Sequence, residues 1–177
     1  HGEEVPLKVW RDGKAIDLSL PVFFNRIDRA EGNQYDRLPR YVVYGGLVFT
    51  ALSRDYLRTF GANWTAAASS ELVYELYYRR VESPETARTE PVVLASTLAH
   101  PVNANLEMRG RSMVDRINGI RIERLEDVVR AFEQDGPSFD AIEFLPYRNL
   151  ECLDRAEVKK AHAEILKTYG VTKDRRL

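Results

Sequence analysis

The stretch YVVYGGLVFTAL, Tyr41 to Leu52, is the most apolar twelve-residue run of the chain, and a Gly-Gly pair splits it in the middle. Glycine loses the most backbone entropy on folding and offers a strand no side chain to pack. A run this apolar therefore reads as strand, turn, strand rather than one long element. The pair has two readings. It is a tight bend or bulge inside a core strand, or it is a loop whose bare N–H groups converge on an anion.

The whole composition narrows the classes. A chain of 177 residues supports one domain, or one domain and a fragment. Apolar residues make up 44%, enough for a sizeable core. Basic and acidic residues nearly cancel, 26 against 27, and the pI is near 6.4, which gives no strong basic imbalance of the kind nucleic acid selects. The single cysteine, Cys152, excludes an internal disulfide. No apolar run approaches the roughly 20 residues that cross a bilayer. The opening HGEEVPLKVW has neither Met nor a natural domain start, and is read as a cut from a longer polypeptide.

Along the chain, Leu7 and Val9, then Ile16, Leu18 and Leu20, alternate with polar neighbours around Asp12-Gly13, which predicts a hairpin over residues 1–24. Residues 25–40 are polar and read as a linker. Residues 41–177 form the main domain. Within it, Ser53 caps a short helix over 54–60, and Ser69 or Ser70 caps another over 71–80, so a helical insertion spans about 53–80. ESPETARTE reads as a charged surface loop. PVVLASTL is a strand, and MVDRINGIRI turns at Asn118-Gly119. Leu125, Val128, Val129 and Phe132 fall at i, i+3, i+4 and i+7 of an amphipathic helix. FDAIEFLPY pairs with a short strand at 150–153. A last helix over 154–169 starts at an Asp154–Glu157 capping box and stops at Gly170. Val158, Ala161, Ile165 and Tyr169 make its stripe, and TKDRRL is expected to fray. The fold class is mixed α+β.

Catalytic patterns are missing from the sequence. The three histidines, His1, His100 and His162, are scattered, and neither H-x-x-x-H nor C-x-x-C occurs. No G-x-S-x-G, P-loop or G-x-G-x-x-G is present. Asp115 on the second hairpin reads as a solvated charge. No metal or cofactor is expected, and a binding or assembly module is the stronger class.

A glycine loop entering a strand, a facing helix and a sheet behind them are the parts with which one polypeptide captures the end of another by strand addition. That is the physics of a PDZ domain. MVDRINGIRIERLEDVVRAF resembles the PDZ pattern of strand, Asn-Gly turn, strand and helix. With YVVYGGLVFTALSRDYLRTFG, VVLASTLAHPVNANLE and AEVKKAHAEILKTYGV, the chain resembles the C-terminal, second PDZ domain of Deg/HtrA-family trypsin-like serine proteases. The resemblance implies a PDZ-like small β-sandwich or partly open barrel with helical insertions and a long C-terminal helix. It implies a carboxylate loop and accepting strand at Tyr44, Gly45, Gly46, Leu47, Val48 and Phe49, faced by Val128 and Phe132. The opening hairpin is similar to the last strands of a preceding PDZ domain, or to a linker pairing with it. The protease domain, with its catalytic residues, would lie upstream.

The pattern departs from that family at several places. Arg111-Ser112 replaces the usual Gly-Asp, Gly45 replaces a hydrophobic residue before the loop glycine, and Asp127 stands where many peptide-binding members carry His. The insertion could cover the groove. The resemblance therefore implies a non-catalytic domain that regulates and assembles a serine protease, in contact with its own protease and first PDZ domains and in a homo-oligomer. Tyr74, Tyr77 and Tyr78 are its interface candidates, because aromatic residues dominate interface anchors. The second expectation is a module that captures C-terminal or extended segments of protease substrates. The bacterial relatives imply the cell envelope; the plant ones spread across organelles and nucleus.

Overall fold

The computed structural model describes residues 3–21, 34, 37–108 and 110–177. Asp12 and Gly13 take φ of +51° and +76°, the left-handed pair that a two-residue hairpin with matched twist requires. They join β1 (Glu4–Arg11) to β2 (Lys14–Pro21), which pair with each other in a two-stranded sheet. Val5, Leu7 and Val9 stand opposite Leu20, Leu18 and Ile16. One face of the hairpin thus carries three aliphatic pairs, with Arg11–Lys14 at the turn end, and every residue in it is exposed. Most of the linker expected over 25–40 lies outside the described residues.

The main domain is built on an open antiparallel sheet. Its strands are β3 (Tyr41–Tyr44), β4 (Leu47–Ala51), β5 (Val92–Thr97), β6 (Ser112–Ile117), β7 (Ile120–Arg121), β8 (Phe139–Leu145), β9 (Asn149–Asp154) and β10 (Arg175–Arg176). The order is β10-β3-β4-β5-β6-β8-β9, with β7 paired to β6. Among the described residues the sheet does not close into a barrel; β10 and β9 are its ends. Successive side chains of a strand point to opposite faces, and β5 shows the consequence. Val92 and Leu94 enter a large core with Phe49, Val114 and Phe144, whereas Val93 enters a second core with Leu52, Leu57, Leu72 and Met113.

Helices cover both faces. The large core is closed by α5 (Leu125–Glu133) and by α6 (Arg155–Thr168). The second core is closed by the insertion, α1 (Arg54–Arg58), α2 (Trp64–Ala67) and α3 (Ser70–Tyr77), with α4 (Arg79–Glu82) following. The Oγ atoms of Ser53 and Ser69 accept from the N–H of Tyr56 and Leu72, as capping chemistry predicts. The helix expected over 71–80 is broken at Tyr78, and α2 carried no sequence signal.

Three further expectations are corrected. Within the segment read as a surface loop, Arg88 and Glu90 are buried. The Arg88 guanidinium pairs with Asp115 and donates to the Ile122 carbonyl at 3.0 Å, so Asp115 is no free solvated charge. Tyr169 leaves the stripe of α6 and is 43% exposed, because its hydroxyl donates to the Ala99 carbonyl at 2.9 Å. The C-terminal residues do not fray: Arg175 and Arg176 pair with Val42 and Tyr41, and Val43 N–H donates to the Asp174 carbonyl at 2.6 Å.

Candidate peptide-docking site

The glycine pair joins β3 to β4 by the same turn geometry as the first hairpin. Gly45 and Gly46 have φ of +55° and +85°. Here, however, the turn is packed from both sides. A Cβ on Gly46 would lie 2.4 Å from Asn103 Nδ2 and 2.4 Å from the Leu98 carbonyl oxygen. A Cβ on Gly45 would lie 3.0 Å from Val158 of α6. Glycine is required at Gly46 by space as well as by φ.

Asn103 seals the turn. Its Nδ2 donates to the carbonyls of Gly45 and Leu98, both at 2.8 Å, and Leu98 N–H donates to the Gly46 carbonyl at 2.7 Å. Asn103 is held by a 3-10 turn, Pro101–Asn103, that proline starts and His100 caps. Val102 N–H donates to His100 Nδ1 at 3.2 Å, and His100 N–H donates to Asn103 Oδ1 at 3.1 Å. His100 thus braces the loop.

The strand after the turn is paired along both edges. Leu47, Val48 and Phe49 of β4 stand opposite Tyr44, Val43 and Val42 of β3; across the other edge Leu47 faces Thr97 and Phe49 faces Leu94 of β5. Leu47 and Phe49 are buried and Val48 is half-buried. α5 packs across β3 and β4 together, and the Tyr44 ring stacks on Phe132 with centroids 3.8 Å apart. Val128 points into the large core. Asp127 is turned to its own helix: its carboxylate accepts from the N–H groups of Glu123 and Arg124 at 2.9 and 3.1 Å.

A buried polar knot pins Tyr44. Its hydroxyl donates to Asp140, which is fully buried on β8. Asp140 also accepts from Asn118 Nδ2 at 2.8 Å and from the Arg155 guanidinium of α6. Burial first, then the Asp140 hydrogen bond, hold the Tyr44 phenol well above its ordinary range. The Arg155 guanidinium is in turn raised by its own hydrogen bond to Asp140. Asp140 was readable in principle, since alternation places it on one strand face with Ile142 and Phe144. Asn103 carried only the weak signal of a proline-started turn.

The aromatic trio lies on the insertion. Tyr74 and Tyr78 stack at 6.3 Å, Arg79 lies over the Tyr74 ring at 4.7 Å, and Tyr77 stacks on Trp64 against the second core. Tyr78 is 52% exposed and Val81 beside it is 81% exposed. Among the described residues no group of three His, Cys, Asp or Glu side chains is placed to hold a metal ion, and no helix is long and apolar enough to cross a membrane.

The sheet, the glycine turn entering β4 and the helix lying across it coincide with a family model described as PDZ domain, which matches residues 30–176. The chain belongs to the PDZ-domain family. PDZ domains are non-catalytic protein-interaction modules, and the match leaves out the β1–β2 hairpin and covers most of the chain. Its curated relatives are mitochondrial Do-like proteases of Arabidopsis thaliana. Do-like 3 is 23% identical over 174 residues, 96% of this chain and 28% of that protein. Do-like 4 is 28% identical over 134 residues, 74% of this chain and 22% of that protein. Do-like 11 is 22% identical over 173 residues, 96% of this chain and 25% of that protein. The chain thus spans about a quarter of the length of these relatives. They are proteases of the Deg/HtrA type, as the sequence resemblance implied.

Proposed function

We propose that this PDZ domain regulates and assembles a Deg/HtrA-type serine protease through protein–protein contact, and does not capture free C termini at β4. The observation that carries the reading is the double pairing of β4. A peptide can add only to an unpaired edge, and β3 already occupies the one that α5 overlies. The glycine turn, with both carbonyls bonded and both α-carbons crowded, leaves little room for a carboxylate.

In this reading residues 41–177 are the domain and residues 25–40 the linker. The aliphatic face of β1–β2 packs on a neighbouring domain of the parent protease. An isolated two-stranded hairpin is at best marginally stable in water, so its six-residue apolar face calls for a cover. The exposed Tyr78 and Val81 of the insertion, with Tyr74 behind them, are the proposed contact between subunits. Deleting residues 41–170 from the parent protease should reduce its oligomeric size in light scattering. An unchanged size would contradict the assembly role.

The alternative, capture of substrate ends, is favoured by the family's general mode of binding alone. It predicts binding of hydrophobic-ended peptides that amidation abolishes.

A further inference from the structure

With β3 seated against β4, the strand edge on the glycine-turn side of the sheet moves outward to β3, and among the described residues a short strap covers it. The strap is Asp174–Arg176. It gives β3 two register pairs and a bond from Val43 N–H to the Asp174 carbonyl; Arg176 also lies over the Tyr41 ring and donates to the Pro39 carbonyl, and the Tyr41 hydroxyl donates to the Lys173 carbonyl just before the strap. Beside it lies a hollow of about 420 Å³ whose floor is apolar, built by Val42, Val129, Phe132 and Val158.

The walls of the hollow differ in charge. α5 brings Glu133, with Asp135 just beyond its end; α6 brings Arg155, Lys159 and His162. The strap matches this polarity. Arg175 Nη1 reaches Glu133 at 2.7 Å, and Asp174 pairs with the same guanidinium at 3.2 Å on the α6 side, 3.9 Å from the His162 ring. The chemistry of the seat is therefore visible in what sits on it: an extended backbone in which an acidic residue precedes a basic one. The Arg175–Glu133 pair is solvent-exposed, and such pairs hold a segment weakly. The strap carries no apolar side chain for the floor.

We propose that the outer edge of β3 is a second docking site. It takes an extended segment of another polypeptide with this acidic-then-basic order, and the C-terminal strap is its intramolecular competitor. The proposal rests on reading the chain as an interaction module, but it stands apart from the assembly role. Oligomer size reports on assembly, whereas the strap is read by peptide binding.

The probe is the labelled heptapeptide VTKDRRL, residues 171–177, added to the full 177-residue chain. The double variant Asp174→Ala, Arg175→Ala keeps the backbone and loosens the strap. It should bind the probe about fivefold more tightly than the unaltered chain does, the scale of one or two exposed ion pairs. Exchange of the Val43 amide should slow in that complex. A probe with Asp174→Arg and Arg175→Glu should lose binding, and Glu133→Arg in the loosened chain should restore part of it. Equal binding by both chains, no binding by the loosened chain, or equal binding of the charge-swapped probe would each overturn the proposal. So would dimerisation of the loosened chain without probe binding, which would assign the seat to a second copy.

Discussion

Two hairpins in this chain are turned by the same backbone device and live in opposite surroundings. Asp12-Gly13 and Gly45-Gly46 both place two successive residues at left-handed φ. Around Gly13 there is nothing within 4 Å of a built Cβ, and all of β1 and β2 is exposed. Around Gly46 the same Cβ meets a carbonyl and an amide at 2.4 Å. A turn is thus a local event that sequence can specify. Whether it is a free corner or a keystone is set by residues far along the chain, here Leu98 and Asn103.

The comparison breaks most visibly at the glycines. Gly46→Ala combines left-handed strain with a collision against fixed backbone and should cost more than about 3 kcal/mol in urea unfolding. Gly13→Ala meets only the conformational penalty of about 1–2 kcal/mol, confined to the hairpin, and should leave the main transition in place. Equal effects at the two sites would mean that the second turn is not packed.

Asn103→Ala comes next. It strips a donor from two carbonyls and should cost about 2–4 kcal/mol.

A smaller effect, about 1 kcal/mol at neutral pH, is expected for Tyr44→Phe. It should also change the alkaline limb. The folded Tyr44 phenol is held above its ordinary range, so the unfolded chain loses that proton first. Its contribution is full below about pH 10 and falls as pH rises beyond it. Tyr44→Phe should flatten this decline, and an unchanged slope would remove the Asp140 knot from the account. Tyr56, raised by burial to about 12, adds to the same limb in both proteins.

The smallest effect belongs to the exposed hairpin. Leu18→Asp should move the main transition by no more than about 0.5 kcal/mol in this chain. Under the proposed docking of this face on a neighbouring protease domain, the same change should cost more in the longer protein, because a covered face would then be charged.

Local signals in the sequence carried much of the fold. Ser53, Ser69 and Asp154 announced their helices, Asp12-Gly13 and Asn118-Gly119 their turns, and the spacing of Leu125, Val128 and Phe132 the buried face of α5. What could not be read is what depends on distant pairing. Arg88 looked like loop charge until Asp115 was brought to it. Asp174–Arg176 looked like a frayed end, since a strand of two residues has no pattern of its own and exists only because β3 offers an edge. The glycine pair was legible as a turn. Its sealing by Asn103, 58 residues away, was not.

The most direct test is calorimetric titration of the chain with peptides ending in Val, Leu or Phe, each as the free acid and as the amide. The doubly paired β4 predicts that no peptide binds in a way that depends on its terminal carboxylate. Micromolar binding of the free acids, lost on amidation and accompanied by slowed amide exchange in β4, would contradict the account and make the glycine turn a working carboxylate loop.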